Sequence, residues 1–127
     1  MNKREREKTL KYIIKLVNSF ILSIDKYKGT IDLASYSKEV MQDILIDRFE
    51  TSDELMEISI RMDSFRQEIA QHISEMKDGA DKDEWDEFYY NIIRIEDMIY
   101  ISDNNIYTID EYIDAMIKFK NALEQLL

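Results

Sequence analysis

Apolar residues recur along this chain at alternating spacings of three and four, the period of one buried face on an α-helix. The clearest run is Leu10, Ile13, Ile14, Val17, Phe20, Ile21 and Ile24, which predicts a first helix over about residues 3–27. Gly29 then stands where a helix end favours a positive φ. A second helix is expected over about 31–49, capped near Thr30 or Ser35, with Leu33, Tyr36, Val40, Ile44 and Leu45 inward. Thr51-Ser52-Asp53-Glu54 reads as a capping box for a third helix over about 52–77. Its stripe is Ile58, Met62, Phe65, Ile69, Ile73 and Met76. A fourth helix, about 82–100, turns Trp85, Phe88, Ile92, Ile95 and Ile99 inward. After a Ser102-Asp103-Asn104-Asn105 turn, a second capping box at Thr108 opens a fifth helix over about 109–126. That helix buries Ile109, Tyr112, Ile113, Met116, Leu123 and Leu127. Short connections make neighbours antiparallel, so the fold class is all-α: a compact antiparallel bundle of four to five helices in a single domain, 1–127.

Composition supports this pattern. No proline and two glycines leave little turn chemistry for a β or α/β chain of 127 residues. With no cysteine, there is neither a disulfide framework nor a thiolate metal site. Asn18, Ser19 and Ser23 interrupt the apolar segment Leu16 to Ile24 that suggests a leader, and Lys11, Lys15 and Asn18 fall inside the only candidate membrane span, so a cytoplasmic protein without membrane insertion is expected.

Charge is unevenly spread. Residues 1–28 carry eight basic side chains against Glu5, Glu7 and Asp25, a net of +5, while the whole chain carries −10, which leaves −15 on the remainder. An acidic body repels phosphate backbones and attracts basic partners. Within the first helix Arg4, Lys8, Lys11 and Lys15 form a basic stripe. A solvated face is its simplest reading; pairing with acids of the same bundle, or contact with an anionic surface, are the others. Cations at a helix N-terminus oppose its dipole, so the first turn is expected to fray unless something holds it.

Three patterns carry candidate chemistry. Glu68, His72 and Glu75 share one side of the third helix, but His72 is the only histidine and a di-metal bundle needs matching ligands from another helix pair. The spacing Arg66-x5-His72 resembles the Arg-x(4–6)-His motif of HEPN ribonucleases, which are also small helical bundles; the resemblance implies Arg66 and His72 as the cleaving pair. Gln67 stands where that family usually carries Asn, Asp or His, and a regular helix points Arg66 and His72 about 120° apart. The pairs Glu54-x-x-Glu57 and Glu84-x-x-Glu87 resemble the magnesium-holding carboxylates of MazG-type pyrophosphohydrolases. An antiparallel hairpin turning at Gly79 would leave Glu57 and Glu84 about 30 Å apart. The acidic run from Asp78 to Glu87 fits no register of an EF-hand loop and instead complements a helix N-terminus. No cofactor, metal or catalytic site is therefore assigned.

One surface remains. Opposite the inward stripe of the fourth helix fall Tyr90, Ile93 and Ile101, among Asp83, Asp86, Glu87, Arg94 and Asp97. This face is either covered within a five-helix arrangement or an exposed patch for a basic protein partner. The expected function is a non-enzymatic protein-binding role as an inhibitor, an immunity or anti-defence protein, or a regulatory adaptor. Size and acidity are similar to nuclease-immunity proteins of the colicin type. The alternatives are a HEPN-like ribonuclease and a homo-oligomeric subunit, a dimer closed by Tyr90, Ile93 and Ile101.

Overall fold

A computed structural model describes residues 1–29 and 36–127. It places α1 at Lys3–Lys28, α2 at Lys38–Leu45, α3 at Asp53–Ser74, α4 at Ala80–Glu96 and α5 at Ile109–Glu124, with no strand among the described residues. The all-α bundle expected from the periodicity is the architecture found. Among the described residues, no helix is long and apolar enough to cross a membrane.

Four helices form the body, and polar pairs fix their directions. Ser23 on α1 donates to Glu54 on α3 at 2.9 Å, while Arg61 stacks on Tyr12 lower down, so α1 and α3 run antiparallel. Arg66 meets Glu96 and His72 meets Trp85, which makes α3 and α4 antiparallel too. Lys28 at the end of α1 pairs with Asp110 at the start of α5. Packing proceeds around the bundle from α1 to α3, α4, α5 and back to α1, which places α1 and α4 on a diagonal. The short α2 crosses the end where α1 finishes and α5 begins; Gln42 donates to the Ile106 carbonyl at 3.2 Å and Lys38 lies 4.1 Å over the Tyr107 ring.

The core follows the predicted stripes on α1, α3, α4 and α5. Two aromatic clusters mark its ends. Phe20 meets Phe49 and Tyr112 edge-on near α2, and Tyr27 meets Phe49 edge-on at 5.1 Å. Phe65, Phe88 and Trp85 occupy the other end.

Several expectations are corrected. The second helix, expected over 31–49, is described as helical only from Lys38, and Tyr36 and Val40 are exposed while Leu45 and Phe49 are buried. Tyr36 precedes the Ser37 cap, and α2 itself turns Leu45 inward and Val40 outward; the π-turn that follows, Ile46–Glu50, carries Phe49 into the core. Thr30, Leu33 and Ser35 lie outside the described residues. The cap of α3 is Ser52, whose hydroxyl accepts from Leu55 N at 3.2 Å, while Thr51 donates to the Asp47 carbonyl. Gly29 closes α1 with φ −81°, so its permissiveness is unused there. Gly79 is the glycine that matters: at φ 155° and ψ −177° it turns the chain between α3 and α4. Ile73, in the last turn of α3, and Met76, beyond its end at Ser74, are half-buried, and Leu127 is exposed beyond the end of α5. Phe119, which the expected stripe omits, is fully buried.

The first turn of α1 is held. Asn2 caps it by accepting from Glu5 N at 2.8 Å. Lys3 and Arg6 both reach Glu84 on α4, at 2.7 and 3.2 Å. Their hydrogen bonds, Lys3 first, lower the Glu84 carboxyl below its ordinary value.

Candidate functional face on α4

Seventeen residues of α4 present one side to the core and the opposite side to solvent. Trp85, Phe88, Ile92 and Ile95 are buried, so the row of Asp83, Glu87, Tyr90 and Arg94 on the opposite side points away from the bundle. Tyr90 at the middle of that row is 69% exposed and Ile93 beside it 38% exposed. Asp83, Glu87, Arg94 and Asp97 are exposed around them and Asp86 is half-buried. Among the described residues Asp83, Asp86, Glu87 and Asp97 form no ion pair, and Arg94 donates to Asn91 on its own helix at 2.6 Å. The question of a covering helix is answered for these residues: α4 is covered on its inner side by α3 and α5 and open on its outer side.

Ile101 does not belong to the face. It is completely buried. Extrapolating 100° per residue fails there because α4 tightens into a 3₁₀ turn at Asp97–Ile99 and the chain becomes extended at Tyr100. Asn104 closes that end by donating to the carbonyls of Asp97 and Tyr100 at 3.0 and 2.8 Å. Ile101 then turns inward, its amide donating to Glu50 and its carbonyl accepting from Ile106 N. A dimer closed by Tyr90, Ile93 and Ile101 as a set is therefore excluded by geometry.

The edge of the face toward α3 is built by residues that sequence reasoning missed. Tyr89 is half-buried, with its ring 6.0 Å from that of Tyr90. Arg66 binds Glu96 at 3.0 Å, Asp63 within α3, and the Tyr89 phenol. Burial raises the Glu96 carboxyl above its ordinary value, and Arg66 offsets part of that. No signal in the sequence marks this network, because it depends on the register of α3 against α4.

The other candidate residues are dispersed. Arg66 lies on the α4 flank of α3, committed to two carboxylates. His72 lies on another flank, packed on Trp85 with ring centroids 4.5 Å apart, at the mouth of a shallow cleft lined by Met1, Glu5, Glu68 and Glu75. Their partners on α4, Glu96 and Trp85, are eleven residues apart, about 16 Å along that helix. No group of three histidine or acidic side chains among the described residues is arranged to hold a metal ion. Glu57 pairs with Arg61 beside the middle of α1, whereas Glu84 pairs at its first turn, so the MazG-like carboxylates sit far apart.

Compared with known protein families, with curated proteins and with solved structures, the chain matches none.

Proposed function

We propose that this chain is a non-enzymatic binding protein that presents the outer face of α4 to a protein with a basic surface. The observation that carries the reading is Tyr90, largely exposed on a 17-residue helix and ringed by carboxylates that form no ion pair among the described residues. A rigid aromatic side chain on regular structure loses little entropy on docking, and tyrosine is enriched among residues that dominate interface energies. The carboxylates of Asp83, Asp86, Glu87 and Asp97 would steer a cationic partner and set its orientation. Such a protein acts by occupancy, as an inhibitor, an immunity or anti-defence protein, or an adaptor. The tying of Arg66 to Glu96 and Asp63 weighs against a ribonuclease that would need that guanidinium at a phosphate.

Site-specific photo-crosslinking in the native cell tests this. A crosslinker replacing Tyr90 should yield a defined protein adduct, whereas one replacing Ile60, exposed on the outer side of α3, should not. Equal labelling from the two positions would overturn the reading.

A further inference from the structure

We infer that the basic surface fitting the α4 face is the outer face of α1 on a second copy of this chain, so that copies join head to tail. This rests on the reading of α4 as a docking face and names its partner.

Three observations support it. The first is position. Because α1 and α4 are diagonal in the bundle, their outer faces point in opposite directions. The second is charge. The outer row of α1 holds Arg4, Lys8, Lys11 and Lys15, all exposed. Only Lys11 among them has an ion pair within the described residues, with Glu7 at 2.9 Å. Counting Glu7, this face carries +3; the α4 face, with Asp83, Asp86, Glu87 and Asp97 against Arg94, carries −3. The cations span about 16 Å of α1 and the acids about 21 Å of α4, so the two rows can lie against each other. The third is apolar complement. Tyr12 is exposed beside the basic row and Leu22 about two turns beyond it, as Tyr90 and Ile93 are exposed among the acids.

Symmetry decides between modes of self-association. A two-fold dimer through either face would set like charges against each other. Joining unlike faces of two copies is heterologous, and it leaves one free face of each kind, so it continues into an open chain or closes as a ring. The whole-molecule charge of −10 opposes assembly at long range. Salt screens that repulsion over about 8 Å at physiological ionic strength, while contacting pairs are screened less. Association is therefore strongest at intermediate salt and falls at high salt.

The pairing already occurs within one molecule, where Lys3 and Arg6 of α1 bind Glu84 of α4 at the bundle's end. The intermolecular contact would repeat that chemistry between outer faces.

Sedimentation velocity over a range of protein and salt concentrations tests the inference with two neutralised variants. One is Arg4→Gln/Lys8→Gln/Lys15→Gln; the other is Asp86→Asn/Glu87→Gln/Asp97→Asn. Wild type should form species beyond the dimer. Each variant alone should associate at least roughly tenfold more weakly and remain monomeric. An equimolar mixture should form a 1:1 dimer and stop, because each variant keeps one competent face. Unchanged helical circular dichroism would show that both variants fold. A monomeric wild type, a variant that assembles alone, or a monomeric mixture would overturn the inference. If wild type is monomeric but position 90 crosslinks to a different protein, this inference fails and the α4 reading stands; if position 90 labels nothing, both fail.

Discussion

The guanidinium of Arg6 lies 4.5 Å over the ring of Trp85, and through it the start of α1 is fastened to the second turn of α4. The same group stacks 4.1 Å from Phe88 and binds Glu84, so a charge entering the bundle's end is met by two aromatic faces and a carboxylate. One guanidinium nitrogen, Nη1, is buried without a hydrogen-bond acceptor, which makes the ring faces its main compensation. Arg6→Ala should therefore cost about 2 kcal/mol of unfolding free energy, and Arg6→Lys less. Urea denaturation checks this, and a loss no larger than that of exposed Lys3→Ala would contradict it.

Gly79 is needed for its backbone, not for its size. A Cβ there would meet nothing within 4 Å, yet its φ of 155° is a conformation that side chains rarely adopt. Gly79→Ala should destabilise by about 1–2 kcal/mol despite the open space. Gly29→Ala, at φ −81° with ordinary clearance, should be neutral or slightly stabilising. Thermal denaturation of the two variants side by side makes the comparison.

Phe49 joins the aromatic cluster of Phe20, Tyr27 and Tyr112 from the π-turn. Phe49→Ala should cost about 3–5 kcal/mol, whereas Val40→Ala, on the exposed side of α2, should cost under about 1 kcal/mol. If Val40→Ala proved the more damaging, the placement of Val40 on the outer side of α2 would be wrong.

Glu50 gives stability a pH dependence of defined sign. Burial raises its carboxyl above the ordinary value; the Ile101 amide offsets part of this and nearby Asp103 adds to it. Buried Tyr112 lies close by, its phenol raised by burial and by Glu50. The folded state thus favours protonated Glu50, so its contribution is fully present below the unfolded-state pKa and is lost as pH rises through the folded value. Glu50→Gln should gain stability relative to wild type as pH rises above the ordinary carboxylate value. Denaturation midpoints on either side of that value test it, and a gap that stays constant or narrows with rising pH would refute the assignment.

Where a helix keeps one regular phase, its buried face was readable from spacing alone: all of Leu10, Ile13, Val17, Phe20 and Ile24 on α1 are buried, as are Trp85, Phe88, Ile92 and Ile95 on α4. Phe119 continues the 112, 116, 119, 123 spacing and was equally legible. Two of the larger errors fall at helix ends. Tyr36 falls ahead of the Ser37 cap and Val40 on the outer side of a helix that starts later than expected, while a 3₁₀ turn carried Ile101 into the core. Contacts between distant helices had no local signature at all. Arg6 and Lys3 looked like solvated cations, and only the meeting of α1 with α4 makes them structural. For the candidate face, Tyr90, Ile93 and the acids followed from periodicity, while Tyr89, Glu96 and Arg66 needed the register of α3 on α4.

The central claim is that the outer face of α4 binds a basic partner through Tyr90. Its most direct test is the affinity of the partner crosslinked from position 90 for wild type, for Tyr90→Ala and for Asp86→Lys/Asp97→Lys, measured by calorimetry beside each variant's melting temperature. The account predicts a loss of roughly thirtyfold for Tyr90→Ala, the equivalent of about 2 kcal/mol, and a comparable or larger loss for the charge reversal, with melting temperatures unchanged. Affinities within twofold of wild type for both variants would contradict it.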